Sequence, residues 1–458
     1  MRRRTHRRGF TLVELMVSLV AGLIIAIAVV GLAKAATTTF HEQARISQVE
    51  ASVRSAAERI RQDLTRISYM STGNITLALA NVPPPGFPRA PYGQRVGNDI
   101  GTNTGSRYAS TIDLAGIRVR VGGSRAASAL IPPAGSEGPN NLATNNQLNP
   151  DAIIITGNLT SDDNYFGTWM DAGTCGGVRI DLDPAFDASV RRLLDPSMPP
   201  LAAVQAAFMP IAGVNYLARI VDKVGCQHYA EVCNVTVAGT RAQIHFADAP
   251  TGNAIPANGA AAGGAGDCGG ARGDNFTVSP VHRVRYYIGP NLDAALDPVD
   301  PDIDPAGNKF NLYREMLDAN GAALPAPGVR EIVAEYAYDL KFGLVVDDPA
   351  VPAPNNVRVF DMDTDPGGGP VDTWTQTPST TIVGGPGPQR VRAVRFRVAT
   401  RAALPDRRAP LQVLPVPGQP YITRYCTENA SINDCTRFAR SRTIVSEVTL
   451  MNQLGMTY

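Results

Sequence analysis

Residues 7–33 read RRGFTLVELMVSLVAGLIIAIAVVGLA. From Leu15 to Ala33 no residue is charged. A helix over that run rises about 29 Å, close to the hydrocarbon thickness of a bilayer. Nothing else in the chain approaches it, so the sequence predicts one membrane span over about 15–33. The first nine residues, MRRRTHRRG, hold five Arg and no acid. That bias keeps the N-terminal side in the cytoplasm and predicts that the rest of the chain is exported.

An ordinary secretory signal peptide also has a basic start and an apolar core. Three features count against it here. The apolar run is longer than such cores, no small-x-small cleavage site closes it cleanly before the next charged segment, and Glu14 stands at its front. An isolated carboxylate at a membrane boundary is costly unless it finds a partner.

RRGFTLVELMVSLVAGLI (7–24) resembles the type III signal of type IV pilins and pseudopilins. The resemblance implies that a prepilin peptidase cuts after Gly9 on the cytoplasmic side of the inner membrane. Phe10 is then the N-methylated N-terminus, and Glu14 is the fifth residue of the mature chain. It implies a role for Glu14 as well, because in that family the carboxylate at this place meets the N-terminal amine of a neighbouring subunit. A buried carboxylate facing an ammonium is tolerated, whereas one left alone is strongly unfavourable. One such pair also fixes a register that an apolar helix surface specifies poorly.

No Pro occurs before Pro83, and no Gly between Gly31 and Gly73. Apolar residues recur at Ile46, Val49, Val53, Ala56, Ile60, Leu64 and Ile67, a spacing of three and four. Glu50, Arg54, Glu58, Arg61 and Asp63 are expected on the opposite, polar face. Residues 10–70 are thus expected to form one helix about 90 Å long, bare and apolar in its first half and amphipathic in its second.

Beyond it the chain is rich in Gly and Pro, and alternating segments predict half-buried antiparallel strands. These are 151–157, 214–221, 232–239, 242–248, 281–289, 309–317, 329–348, 391–404 and 441–454. The expected class is α+β, a pilin-like long helix packed on an antiparallel sheet with long loop insertions. Four stretches follow: a leader at 1–9, the helix at 10–70, a loop-rich β region with insertions at 71–280, and an antiparallel β region at 281–458. The order RVRYYI, NLYRE, PGVREIVAEYAYDLKFGLVVD, VRAVRFRVATRA and a closing strand resembles PilW-type minor pilins. The J-type minor pseudopilin of type II secretion (GspJ) has a related layout.

Six Cys fall in the part expected to be exported, where oxidation is possible: Cys175, Cys226, Cys233, Cys268, Cys426 and Cys435. Proximity in sequence favours Cys426–Cys435 and Cys226–Cys233, which leaves Cys175–Cys268. A bridged loop near the C-terminus also resembles pilins generally. DMDTDPGGGPVD places Asp361, Asp363, Asp365 and Asp372 at a spacing like that of a calcium loop, although Pro366 stands where a turning Gly is expected. A second acidic loop carries Asp297, Asp300, Asp302 and Asp304. The plain alternative for both is a solvated acidic turn, and no other cofactor is expected.

No phosphate-binding loop with its Lys, no H-E-x-x-H and no G-x-S-x-G occurs, so no enzyme activity is expected. With 42 basic and 41 acidic residues the net charge is +1; loss of the five leader Arg takes it to −4. No basic, aromatic-interleaved patch is evident, and no nucleic-acid partner is expected. The expected role is that of a minor pilin which helps start pilus assembly and stands at or near the tip. Its expected partners are the prepilin peptidase, other minor and major pilins, and the inner membrane before assembly. A minor pseudopilin and a tip adhesin or DNA-uptake module are the alternatives.

Overall fold

A computed structural model describes residues 11–68, 115–121, 150–161, 163–170, 174–175, 179–195, 197–221, 227–246, 275–290, 309–319, 330–348, 356–362, 371, 374–375, 387–405, 424–427 and 437–454. Two compact units meet at Ala51 and Ser52. The first holds the start of α1 (Leu12–Thr65), and the second holds the end of that helix and everything after it.

Within the second unit Val53, Ala56, Ile60, Leu64 and Ile67 of α1 and its exit turn are buried, as the three-and-four spacing predicts. The helix ends five residues before the expected boundary at 70. Residues 66–68 turn away, with Ser68 in the left-handed region (φ 57°) and its N–H donating to the Thr156 carbonyl at 3.0 Å. The side-chain amide of Asn452 donates to the carbonyls of Thr65 and Ile67 at 3.2 and 3.1 Å. Orphan carbonyls of a helix end thus find a partner far along the chain.

Asp63 departs from the expectation of a polar outer face. It is 3% exposed, ion-paired with Arg314 Nε at 2.7 Å, and accepts the Tyr286 hydroxyl at 2.6 Å. Three residues after Ile60 and one before Leu64, it lies on the inward stripe, and a buried carboxylate there requires a cation.

The strands are β1 (Ile117–Arg120), β2 (Ala152–Gly157), β3 (Tyr165–Met170), β4 (Arg179–Leu182), β5 (Tyr216–Val221), β6 (Gln227–Ala238), β7 (Arg241–Phe246) and β8 (Asn275–Pro290). Then come β9 (Phe310–Leu317), β10 (Arg330–Ala334), β11 (Ala337–Asp347), β12 (Val357–Phe360), β13 (Val391–Arg401), β14 (Arg424–Cys426) and β15 (Phe438–Thr449). Short helices α2 (Ala188–Leu193) and α3 (Pro200–Phe208) follow β4, and α4 (Met451–Leu454) follows β15. Every pairing is antiparallel.

Two five-stranded layers share one core with the end of α1. One runs β1-β2-β8-β9-β10 and the other β12-β11-β13-β15-β14. Val53, Ile60 and Leu64 meet Ile153, Tyr286, Leu312, Phe342, Phe396 and Val448 in that core. Asp151 ties the layers together. Its carboxylate takes Lys341 Nζ at 3.0 Å and the Phe342 N–H at 2.9 Å.

The long strand β8 belongs to two structures. Residues 282–290 pair with β2 and β9, while residues 275–281 pair with β3 and β5. From there β3 pairs with β4, β4 with β7, β7 with β6, and β6 with β5, which returns to β8. These six strands close a barrel with its own core of Tyr165, Trp169, Ile180, Phe246 and Phe276, plugged by Val204 and Phe208 of α3. A barrel this small is filled by its side chains. Gly167 is required there, because a Cβ on it would stand 2.5 Å from Ile180 and 2.7 Å from Leu182. Pro280, which has no N–H for a ladder, falls where pairing with β3 has ended and pairing with β2 has not begun.

The barrel corrects the expected division of the chain. The boundary placed at 280 cuts through β8. The stretch expected to be loop-rich holds seven strands and two helices among the described residues.

Candidate functional site

Thr11 and Glu14 form a reciprocal cap at the start of α1. The Thr11 hydroxyl accepts the Glu14 N–H at 3.3 Å, and Glu14 Oε2 accepts both the N–H and the hydroxyl of Thr11 at 3.0 Å. This is the capping box of a Thr-x-x-Glu sequence, with the carboxylate also at the positive end of the helix dipole. Glu14 was legible as a site residue; its partner Thr11 was overlooked, although the three-residue spacing carried the signal. Both bonds use Oε2, and Oε1 has no donor among the described residues. The carboxylate is therefore satisfied within its own chain and still has an oxygen to offer a cation. Gly9 and Phe10 lie outside the described residues.

After this cap, the first part of α1 is bare among the described residues. Fourteen large apolar side chains from Leu12 to Leu32 are each 55–75% exposed, and they occupy every face of the helix. A helix apolar all round belongs in a bilayer or among other helices. α1 is long and apolar enough to cross a membrane. The hydroxyls of Ser18, Thr37, Thr38 and Thr39 are satisfied along the helix itself. Ser18 donates to the Leu15 carbonyl at 2.9 Å, and Thr37, Thr38 and Thr39 donate to carbonyls four residues back at 2.8–3.0 Å. Nothing lies within 4 Å of where a Cβ would stand on Gly22 or Gly31, so both mark open helix surface.

The other candidates fare differently. A disulfide joins Cys175 and Cys233, with Cα atoms 6.6 Å apart. This overturns the expected pairs Cys226–Cys233 and Cys175–Cys268. Strand geometry explains it: an extended run from Gln227 to Cys233 covers about 20 Å, far beyond disulfide reach. Closure of the barrel instead carries Cys233 to the turn before β4. Cys226, Cys268 and Cys435 lie outside the described residues. The backbone of Cys426 ends β14, opposite Phe438 of β15. Of the proposed calcium ligands only Asp361 is described, and its carboxylate takes Arg395 Nη1 at 2.9 Å. Asp363, Asp365 and Asp372 lie outside the described residues, as do Asp297, Asp300, Asp302 and Asp304.

Residues 4–30 match the prokaryotic N-terminal methylation motif. That is the type IV pilin-like signal, and its span takes in part of the basic leader, Gly9, Phe10, Thr11, Glu14 and most of the apolar run. It implies processing by a prepilin peptidase and assembly with other pilin-like subunits. The helix behind it fits a single-pass membrane anchor of the kind pilins use. Comparison with curated proteins and with solved structures returned no match.

Proposed function

We propose that the chain is a minor subunit of a type IV pilus, cut after Gly9, methylated on Phe10 and active in starting assembly. The observation that carries this reading is the bare apolar helix entered through a self-satisfied Glu14. Such a subunit rests in the inner membrane with Glu14 held by Thr11. On assembly its open Oε1 takes the terminal amine of a neighbour, so no step leaves a naked carboxylate in an apolar setting. The body stands on the periplasmic side before assembly and at the cell surface afterwards. A tip position is favoured by the barrel, a second core carried by one long strand of the pilin-like sheet.

Deletion of the gene, scored for surface pili and for exported enzymes, tests the reading. Loss of pili supports it. Loss of enzyme export with pili intact replaces it with the pseudopilin reading. In the same background Glu14→Ala is expected to be cleaved and exported yet not incorporated. Normal incorporation would overturn the role given to Glu14.

A further inference from the structure

His245 lies on the outer wall of the barrel and is 2% exposed, covered by the turn that carries Thr174 and Cys175. Its Nδ1 accepts the Thr174 N–H at 3.2 Å. A backbone amide can only donate, so Nδ1 carries no proton. Nε2, at 2.8 Å from the Thr236 hydroxyl, is then the protonated nitrogen and donates to it. The relay continues in one direction. Thr236 donates to Gln243 Oε1 at 3.0 Å, and Gln243 Nε2 donates to Asp181 Oδ1 at 3.2 Å. Arg179 Nε closes the line on the same carboxylate at 2.6 Å.

Among the described residues, Thr174 and Cys175 are therefore held by two ties. One tie is covalent, the Cys175–Cys233 bond; the other is the Thr174 amide on the imidazole, supported by Asn234 Nδ2 on the Thr174 hydroxyl at 3.3 Å. The ladder brings the two ties together, since Asn234, next to Cys233, is the cross-strand partner of His245. Among the described residues the groups facing the ring are few. β4 brings Arg179 and Asp181, β6 brings neutral Asn234 and Thr236 together with Cys233, and the turn brings Thr174 and Cys175.

We propose that His245 is a proton-operated lock on the Cys175–Cys233 disulfide. The neutral ring seats Thr174 so that Cys175 stays beside Cys233 whether or not the sulfurs are joined, and a proton on Nδ1 frees the turn and opens the bond to reductants. A proton there would set N–H against N–H at 3.2 Å. The direction of titration agrees. Burial first, and then Arg179, hold the ring below its usual 6.5, against a smaller opposite pull from Asp181. A depressed histidine keeps its neutral-state bonds above the folded value and loses them as pH falls through it. The lock is thus closed at neutral pH and opens in acid.

The test uses the full-length chain in detergent micelles and a water-soluble trialkylphosphine, which reduces disulfides in acid as well as at neutral pH. Reduction is followed by alkylation and mass spectrometry of the peptide carrying Cys175. Rates are normalised to oxidised glutathione in the same tube. Between about pH 7.5 and about pH 4 the normalised rate is expected to rise about fivefold, the effect of losing one hydrogen bond that guards the bond. In His245→Asn the amide oxygen takes the Thr174 N–H at every pH, and the rate stays flat. A flat rate in the unaltered chain, or an equal rise in His245→Asn, overturns the proposal. A second measurement needs no variant. In the reduced chain, hydrogen exchange of the segment containing Thr174, corrected for intrinsic pH dependence, is expected to remain slow at about pH 7.5 and become fast at about pH 4. Fast exchange at neutral pH would show that the disulfide alone holds the turn.

Discussion

Removing the carboxylate of Asp63 should do more damage than any other single polar change on α1. Asp63 is 3% exposed, and its partner Arg314 is also largely buried. Asp63→Leu takes away the 2.7 Å pair to Arg314 Nε and the acceptor of the Tyr286 hydroxyl. Burial pushes the Tyr286 pKa up, so the hydroxyl stays protonated, and without Asp63 its donor keeps only the Arg59 carbonyl at 3.4 Å. Breaking a buried pair by deleting one partner costs about 3–5 kcal/mol, because the survivor remains an uncompensated buried charge. Glu331 Oε2 stands 3.6 Å from Arg314 Nη1, but half-exposed as it is, it offsets little of that loss. For a body of this size the loss corresponds to a melting point about 4–6 °C lower, read for full-length chains in one detergent. The discriminating variant is Asp63→Leu with Arg314→Met. It replaces both charges by apolar groups and should recover most of the stability. A loss under about 1 kcal/mol in the single variant, or no recovery in the double, would refute the reasoning, since either would mean that the pair is not desolvated.

Three further outcomes are expected. Gly157→Ala should destabilise the body by about 1–3 kcal/mol in urea, because its Cβ would stand 2.3 Å from the carbonyl oxygen of Arg66 at the exit of α1. Burial, with a smaller contribution from Arg314, takes the His282 pKa down from 6.5 to about 3; the unfolded chain therefore binds the proton first, and stability should fall as pH drops from about 6.5 toward 3. His282→Phe should flatten that part of a stability–pH curve, and an unchanged slope would show that another group causes it. Peptide mapping without reduction should find Cys426 linked to Cys435, since the Thr427 N–H already donates to the Arg437 carbonyl at 3.0 Å in the β14–β15 hairpin; a Cys426 link to Cys226 or Cys268 would reject that pair.

Periodicity made much of this legible. The inward stripe of α1 was readable because spacings of three and four survive any tertiary context. β2, β5 to β9, β11, β13 and β15 were readable because each alternates or runs apolar over several residues. The overlooked strands are short or ambiguous. β1, β12 and β14 have three or four residues, and β4 is RIDL. β3, YFGTWM, hides its period behind a buried Gly167. Asp63 was misplaced for a different reason. Charge is read as exposure, and only the fold supplies Arg314 from 251 residues away. The disulfide failed likewise: nearness along the chain predicted Cys226 for Cys233, but an extended strand turns nearness in sequence into distance in space. At the helix entrance Glu14 was legible because apolar surroundings make a lone acid conspicuous. Thr11 was not conspicuous, and its role rests on a three-residue offset.

The strand edges bear on which surfaces of such a chain are open to another copy. Four strands lie at sheet edges, β1, β10, β12 and β14, and they have only three to five residues each, whereas the strands inside the two layers have six to sixteen. Short edges are poor templates for another chain. The β1 edge is also plugged. The Thr375 hydroxyl accepts the Val119 N–H at 3.0 Å and lies 3.1 Å from the Val119 carbonyl oxygen, the groups an added strand would use. The barrel goes further, since a closed ring has no edge. Strand addition is thus suppressed throughout the described body, while the long apolar surface of α1 is left unguarded. Among the described residues, then, the surface left open to another copy is that of the helix rather than a strand edge. There Glu14, with Oε2 engaged by Thr11 and Oε1 without a donor among the described residues, is the group proposed to set the register.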